Sequence, residues 1–321
     1  MTPDDLRLLL PRYGLALDAP IRLLNRSENA TWAAGDGAGS VILRVHRAGY
    51  HSAAEIRSEL DWLRALAGQD GFRAVQPLAD RSGAYVQAVD NRLVVGFAPI
   101  IGREVLASDD LRQWFGDLGE ISARLHRHAR HWQRPAGFTR KRWDLQTILG
   151  ARPHWGDRRD APGLDAAGAR LLTRVADDLT ARLTDYGTGA ARFGLIHADL
   201  RLANLLVDAA GLWVIDFDDC GFGWRMYDFA AAVSFIETDP RLPELAALWC
   251  EGYRRSTPIS QADEAILPVL IMLRRLLLTA WIGSRADSDT ALALGGPDFT
   301  QTSVALADRY LTGGPMGVWR G

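Results

Sequence analysis

The chain has 321 residues, 48% of them apolar, two cysteines and a net charge of −2. That length exceeds what one hydrophobic core usually spans, so two lobes are expected. The near-zero charge offers no field to draw nucleic acid or an anionic membrane, and two cysteines make no disulfide framework, so a cytoplasmic protein is expected.

The opening "TPDDLRLLLPRYG" reads as a short helix capped by Thr2 or Asp4 and ended by Gly14. It has no basic start followed by an apolar run, so no secretory signal is expected. Three strands follow in "IRLLNRSENATWAAGDGAGSVILRVHR", the last two joined by a glycine-rich turn. "SAAEIRSELDWLRALAG" is a helix: Ser52 and Glu55 stand at capping-box spacing, and apolar residues recur every three or four positions from Ile56 to Leu66. Further strands are expected in "AVQPLAD", "AYVQAVD" and "RLVVGFAPI", the first weakened by its proline.

Near Gly102 the composition turns helical. "SDDLRQWFGDLGEISARLHRHARHW", "AAGARLLTRVADDLTARLTDYG", "YDFAAAVSFIE", "LPELAALWCEGYRR" and "FTQTSVALADRYL" all read as helices. So does Ile266–Gly283, the most apolar stretch, where Arg274 and Arg275 argue for a buried core helix over a membrane span. Between these helices lie the short strands "FGLIHADL" and "NLLVD…LWVIDFDD", joined at "AAG". The expectation is an α+β fold with a small antiparallel β lobe carrying one main helix, then a larger, mostly helical lobe. Its parts are 1–98 as the first lobe, 99–102 as a linker and 103–321 as the second.

The segment Leu195–Trp224 carries a histidine, five aspartates and an asparagine among apolar residues. Turn chemistry accounts for Asp208 beside "AAG". It does not account for carboxylates and an amide gathering where two strands finish. If the strand continued through "LWVIDFDD", Asp216 and Asp218 would point to one side. An Asp at a strand end and an Asn on the next loop suit Mg²⁺, which takes oxygen ligands, and a second Asp could accept a hydroxyl proton. Phosphoryl transfer needs that arrangement. An EF-hand reading of "DFDDCG" fails, because Cys220 and Tyr227 stand at ligand positions. His126, His128 and His131, spaced by two and three with arginines between, read as a solvated helix end.

"HADLRLAN" followed by "VIDFDD" resembles the H-x-D-x-x-x-x-N and D-[FLI]-[DG] signature of kinase-fold phosphotransferases. The similar branch is the aminoglycoside phosphotransferase and choline kinase superfamily, with homoserine kinase type II-like and stress-response kinase A-like proteins. "YDFA" (227–230) suits it too, and the likeness covers nearly the whole chain. It implies a bilobal protein-kinase-like fold that binds ATP and Mg²⁺. Asp199 would be the catalytic base. Asn204 and Asp216 would bind Mg²⁺, with Asp218 assisting a second ion. Arg201 stands where Ser/Thr protein kinases carry a lysine that meets the transferred phosphoryl group. Asp228 would tie a helix start to the catalytic loop.

At the nucleotide end, Arg44 stands where the family has a lysine, in a chain whose only lysine is Lys141. Its partner would be Glu59, with Glu55 as second choice. There is no G-x-G-x-x-G. Backbone N–H groups of Ser27, Glu28 and Asn29 would cap the phosphates, and the backbone from Phe97 to Ile100 would meet adenine. The acceptor would be a small molecule with a hydroxyl, such as an amino alcohol or hydroxy amino acid. The alternatives are a stress-type Ser/Thr protein kinase, an aminoglycoside phosphotransferase, or a nucleotide-binding pseudokinase. Only nine residues separate Asp218 from Asp228, short for an activation segment. "GFTRKRWD" and "HWGDRRD" read as a solvated insertion or, as the second choice, an anion-binding wall. No nucleic-acid or membrane partner is expected, and the oligomeric state is not legible.

Overall fold

The computed structural model describes residues 2–26, 29–69 and 71–319. They fall into two compact units: Met1–Arg103 with Trp132–Arg140 and Leu206–Asp218, and Glu104–His131 with Lys141–Leu205 and Asp219–Gly321.

The first unit begins with helix α1 (Pro3–Arg7), where Thr2 forms a reciprocal capping box with Asp5. Six strands follow: β1 (Ile21–Arg26), β2 (Ala30–Ala34), β3 (Val41–Val45), β4 (Pro77–Leu78), β5 (Val86–Val89) and β6 (Arg92–Phe97). They pair antiparallel in the order β1-β2-β3-β6-β4, with β5 also on β6. The proline strand is two residues long and lies at the sheet end, where a missing N–H costs no ladder bond. Leu6, Leu9, Leu10, Trp32, Leu43, Val45 and Val94 make one core on the sheet. Helix α2 (Ala53–Ala67) starts at Ser52, whose hydroxyl accepts from Glu55 N while the Glu55 carboxylate returns to Ser52 N at 2.8 Å. The hairpin strands β8 (Leu205–Asp208) and β9 (Gly211–Val214) belong to this unit from Leu206 onward, and Val75 N donates to Val214 O at 3.0 Å.

The second unit holds helices α3 (Arg112–His131), α4 (Ala166–Tyr186), α5 (Tyr227–Ala232), α6 (Leu242–Arg254), α7 (Leu267–Gly283) and α8 (Gly296–Gly313). Strand β7 (Phe193–Ile196) pairs antiparallel with β10 (Gly221–Trp224). Helix α7 is buried on every side, its apolar residues enclosed and its two arginines, Arg274 and Arg275, paired inside. The stretch 261–283 is long and apolar enough to cross a bilayer, but 89% of its apolar window is buried within the protein. α4, α5 and α8 cover it. Helices α3 and α6 meet at glycines: a Cβ on Gly252 would lie 1.7 Å from Gly116 O, and one on Gly119 would lie 2.0 Å from Trp249 O.

Two local expectations are corrected, and one strand was not anticipated. The strand through "LWVIDFDD" stops at Val214, and residues 217–219 form a 3₁₀ turn, so strand alternation does not set the directions of Asp216 and Asp218. Asp216 itself has φ +60°, a left-handed conformation that Asp tolerates better than most residues. The helix expected over "YDFAAAVSFIE" ends at Ala232, and Phe235 adopts φ +72°. Strand β10, in the glycine-rich "GFGW", carried no alternation to reveal it.

Candidate functional site

In the first unit, Arg44 is the centre of a charged cluster. It sits on β3 opposite Thr31 and Val95, and is 5% exposed. Its Nη2 lies 2.5 Å from Glu59 Oε1, and its Nη1 3.3 Å from Asp216 Oδ1. Asp218 Oδ1 is 3.8 Å away. Glu59 reaches it because α2 turns this fully buried position inward, while Glu55 is occupied in the helix cap. The Phe97 ring stacks under the guanidinium, with its centroid 4.9 Å from Cζ.

Asp218 is a buried anion. Asn29 Nδ2 donates to it at 2.8 Å, His46 Nδ1 lies at 3.4 Å and His51 Nε2 at 3.3 Å. Burial works against its charge; Arg44 and the two imidazoles outweigh that and hold its carboxyl well below the usual carboxylate range. His46 is itself held below the usual histidine value, first by burial and then by Arg44, with Asp218 opposing, so it is neutral at pH 7. Sequence reasoning missed both histidines, because neither belongs to a motif. Asn29 presents its side chain here, and Ile100 is half-buried in the chain after β6. Ser27 and Glu28 lie outside the described residues.

Arg140 adds a further cation, donating to the backbone carbonyls of Glu55 and Asp218. The cluster thus holds three carboxylates, Glu59, Asp216 and Asp218; Arg44 meets all three, while Arg140 is spent on backbone carbonyls. The excess negative charge and the Asp216 side chain, 42% exposed, are a donor set that fits a hard divalent cation.

In the second unit, the loop after β7 presents Asp199. Ala198 takes φ +67°, a turn that needs outside support. Asp228, at the start of α5, supplies it by accepting from His197 N at 3.2 Å and Ala198 N at 2.7 Å. Asp228 is also bonded to His126 Nε2 at 2.8 Å, and His126 Nδ1 lies 3.0 Å from Tyr253 Oη. Burial pushes His126 below the usual value and the Tyr253 hydroxyl above its own. The neutral imidazole therefore donates from Nε2 to the carboxylate and accepts the Tyr253 proton at Nδ1. This corrects the expectation of a solvated histidine cluster: His126 is 1% exposed and holds the loop through Asp228.

The Asp199 carboxylate is gripped at both oxygens. Asn204 Nδ2 donates to Oδ2 at 2.7 Å and to the Asp199 carbonyl at 2.8 Å. Arg201 Nε reaches Oδ2 at 3.3 Å, and Arg274 Nη2 bonds Oδ1. With its amide protons committed, Asn204 has Oδ1 as the atom that can meet a hard cation. Arg274 was legible only as a break in an apolar helix; its contact spans 75 positions of sequence. Trp143 and Trp155, in the segments expected to be solvated, are buried at 1% and 4%.

A loop of the form H-x-D-x-x-x-x-N held by α5, in a chain that also carries an antiparallel unit with a paired strand cation and helix carboxylate, defines the class of kinase-fold phosphotransferases. Comparison with known proteins agrees. Residues 21–262 match the profile of the Phosphotransferase enzyme family. A solved structure of a microcompartment-associated aminopropanol kinase is 46% identical with a TM-score of 0.88, covering 96% of this chain and 97% of its own. The homoserine kinase of Gluconobacter oxydans (strain 621H) is 29% identical over 249 residues, 72% of this chain and 74% of that protein. An amicoumacin kinase solved with AMP-PNP, Ca²⁺ and Ami is 22% identical, with a TM-score of 0.71 over 89% of this chain and 88% of that one, and shares the fold.

The chain belongs to the Phosphotransferase enzyme family. It is a kinase with an alcohol acceptor, of the α+β kinase-like fold, and the similarities favour small-molecule kinases over the protein-kinase alternative.

Proposed function

We propose that this enzyme moves the γ-phosphate of Mg·ATP to the hydroxyl of a small amino alcohol or hydroxy amino acid in the cytoplasm. The observation that carries the reading is the Asp199 carboxylate, 9% exposed and fixed at both oxygens in a supported loop. The 46% identity to an aminopropanol kinase favours the amino-alcohol class, and the resemblance to homoserine kinases keeps hydroxy amino acids beside it. The AMP-PNP held by the amicoumacin kinase favours ATP as donor.

Mg·ATP supplies the transferable phosphoryl group. Asp199 accepts the hydrogen bond of the acceptor hydroxyl and takes its proton as the new O–P bond forms and the β–γ bridging bond breaks. Arg201, beside that carboxylate, faces the charge on the phosphoryl oxygens. Arg44, oriented by Glu59, meets the ATP phosphates with Asn29. Phe97 and Ile100 border the adenine. Asn204 and Asp216 are the Mg²⁺ ligands, and Asp218 serves a second ion or keeps Arg44 in place. Residues 1–98 form the nucleotide lobe, 99–102 the hinge and 103–321 the acceptor lobe.

The test is phosphate transfer from γ-labelled ATP with Mg²⁺ to a panel of amino alcohols, hydroxy amino acids, sugars, aminoglycosides and a generic protein. Labelling of an amino alcohol or hydroxy amino acid is expected. Labelling of protein alone, or of aminoglycosides alone, would overturn the acceptor class.

A further inference from the structure

Arg274 and Arg275 are consecutive on α7, so their side chains leave the helix about 100° apart. Arg275 turns to Ser303 Oγ at 2.7 Å, the Phe299 carbonyl at 3.0 Å and Glu237 at 2.8 Å, which fastens α8 to α7. Arg274 turns the other way. Its Nε donates to Ser234 Oγ at 3.1 Å, and Nη1 lies 3.4 Å from both the Ala198 carbonyl and Tyr227 Oη. Its Nη2 bonds Asp199 Oδ1, and the Trp155 ring centroid lies 5.2 Å from Cζ. The residue is 2% exposed.

Burying a guanidinium is costly unless it is fully paired. A neutral donor would suffice to hold the Ala198 carbonyl. The charge is needed where it meets charge, at Asp199. The χ2 torsion of an aspartate is broad, so rotamer preference does not decide which oxygen faces an acceptor. Donors decide it. Asn204 and Arg201 sit on Oδ2 and Arg274 on Oδ1, from an element remote in sequence.

We propose that Arg274 is the positioning residue of the catalytic base: its planar fork bridges the Ala198 carbonyl and Asp199 Oδ1, and so fixes the carboxylate plane against the acceptor hydroxyl. The inference rests on the assignment of Asp199 as base. A lysine can reach one of those two atoms but cannot bridge them with fixed geometry.

The test compares Arg274→Met and Arg274→Lys with the parent enzyme in steady-state transfer, AMP-PNP titration and circular dichroism, with each substitution repeated in the Asp199→Asn background. A misplaced reacting group costs on the order of 100-fold, so kcat is expected to fall by about that factor in Arg274→Met and by about tenfold or more in Arg274→Lys. KM for ATP and the AMP-PNP affinity should stay within about threefold, and the loss should nearly vanish in the Asp199→Asn background, measured by single-turnover labelling. A folded variant with unchanged kcat, or a loss undiminished without the Asp199 carboxylate, would overturn the proposal. If Arg274→Met does not fold, Arg274→Lys decides alone, and parental kcat there would overturn it. Full activity in Asp199→Asn itself would instead remove the base assignment, and this inference with it.

Discussion

Arg44 illustrates how one side chain can be committed and available at once. Glu59 fixes its Nη2, which also lies 3.8 Å from the buried Asp218, while Nη1 lies 3.3 Å from the exposed Asp216 carboxylate. Asp216 is the exposed member, so its removal should be felt by the metal before it is felt by the fold. Asp216→Ala is expected to abolish the gain in AMP-PNP affinity that Mg²⁺ brings to the parent, leaving binding at the level seen with EDTA. Calorimetric titration with and without Mg²⁺ checks this, and an unchanged Mg²⁺ dependence would assign the ion to other ligands. Residues inside a motif were readable: the spacing that singled out Asp199 and Asn204 corresponds to a 2.7 Å contact. Arg274, His46 and His51 were not, because each acts on a motif residue from a distant part of the chain and carries no pattern of its own.

At the scale of elements, the loop that carries Asp199 is held by helix packing. α3 and α6 approach closely because Gly116, Gly119 and Gly252 leave their backbones bare, and that approach brings Tyr253 to His126, and His126 to Asp228. Gly252→Ala places a methyl against the Gly116 carbonyl. Overpacking of this kind costs about 1–3 kcal/mol, so the thermal midpoint should fall, and kcat with it as His126 shifts. Differential scanning calorimetry with parallel rate measurements tests this; an unaltered midpoint would mean the helices have slack. Periodicity revealed the helices and capping chemistry revealed their starts, as Ser52 with Glu55 shows. Where the backbone follows tertiary demand, at Asp216 and Phe235 with positive φ, local pattern predicted the wrong conformation. The chain keeps such residues where contacts outside the element compensate the strain.

For the whole molecule, the buried histidines give stability a pH dependence with a definite sign. His46 and His126 are both held below the unfolded value of about 6.5, chiefly by burial. Between their folded values and about 6.5 the unfolded chain binds more protons than the native one, so stability rises with pH there. It is complete above about 6.5 and is lost as acidification approaches the folded values. The urea midpoint should be lower at pH 5.5 than at pH 7.5, and His126→Gln should flatten part of that slope. A midpoint independent of pH over this window would contradict the neutral assignment of both rings.

In the proposed reaction Asp199 acts on the acceptor and not on the nucleotide. The most direct measurement compares Asp199→Asn with the parent for both turnover and AMP-PNP affinity in the presence of Mg²⁺. Turnover is expected to fall by about a thousandfold or more with affinity nearly unchanged, since the amide keeps the shape and gives up the proton acceptor. Equal loss of binding and turnover, or turnover retained, would contradict this role.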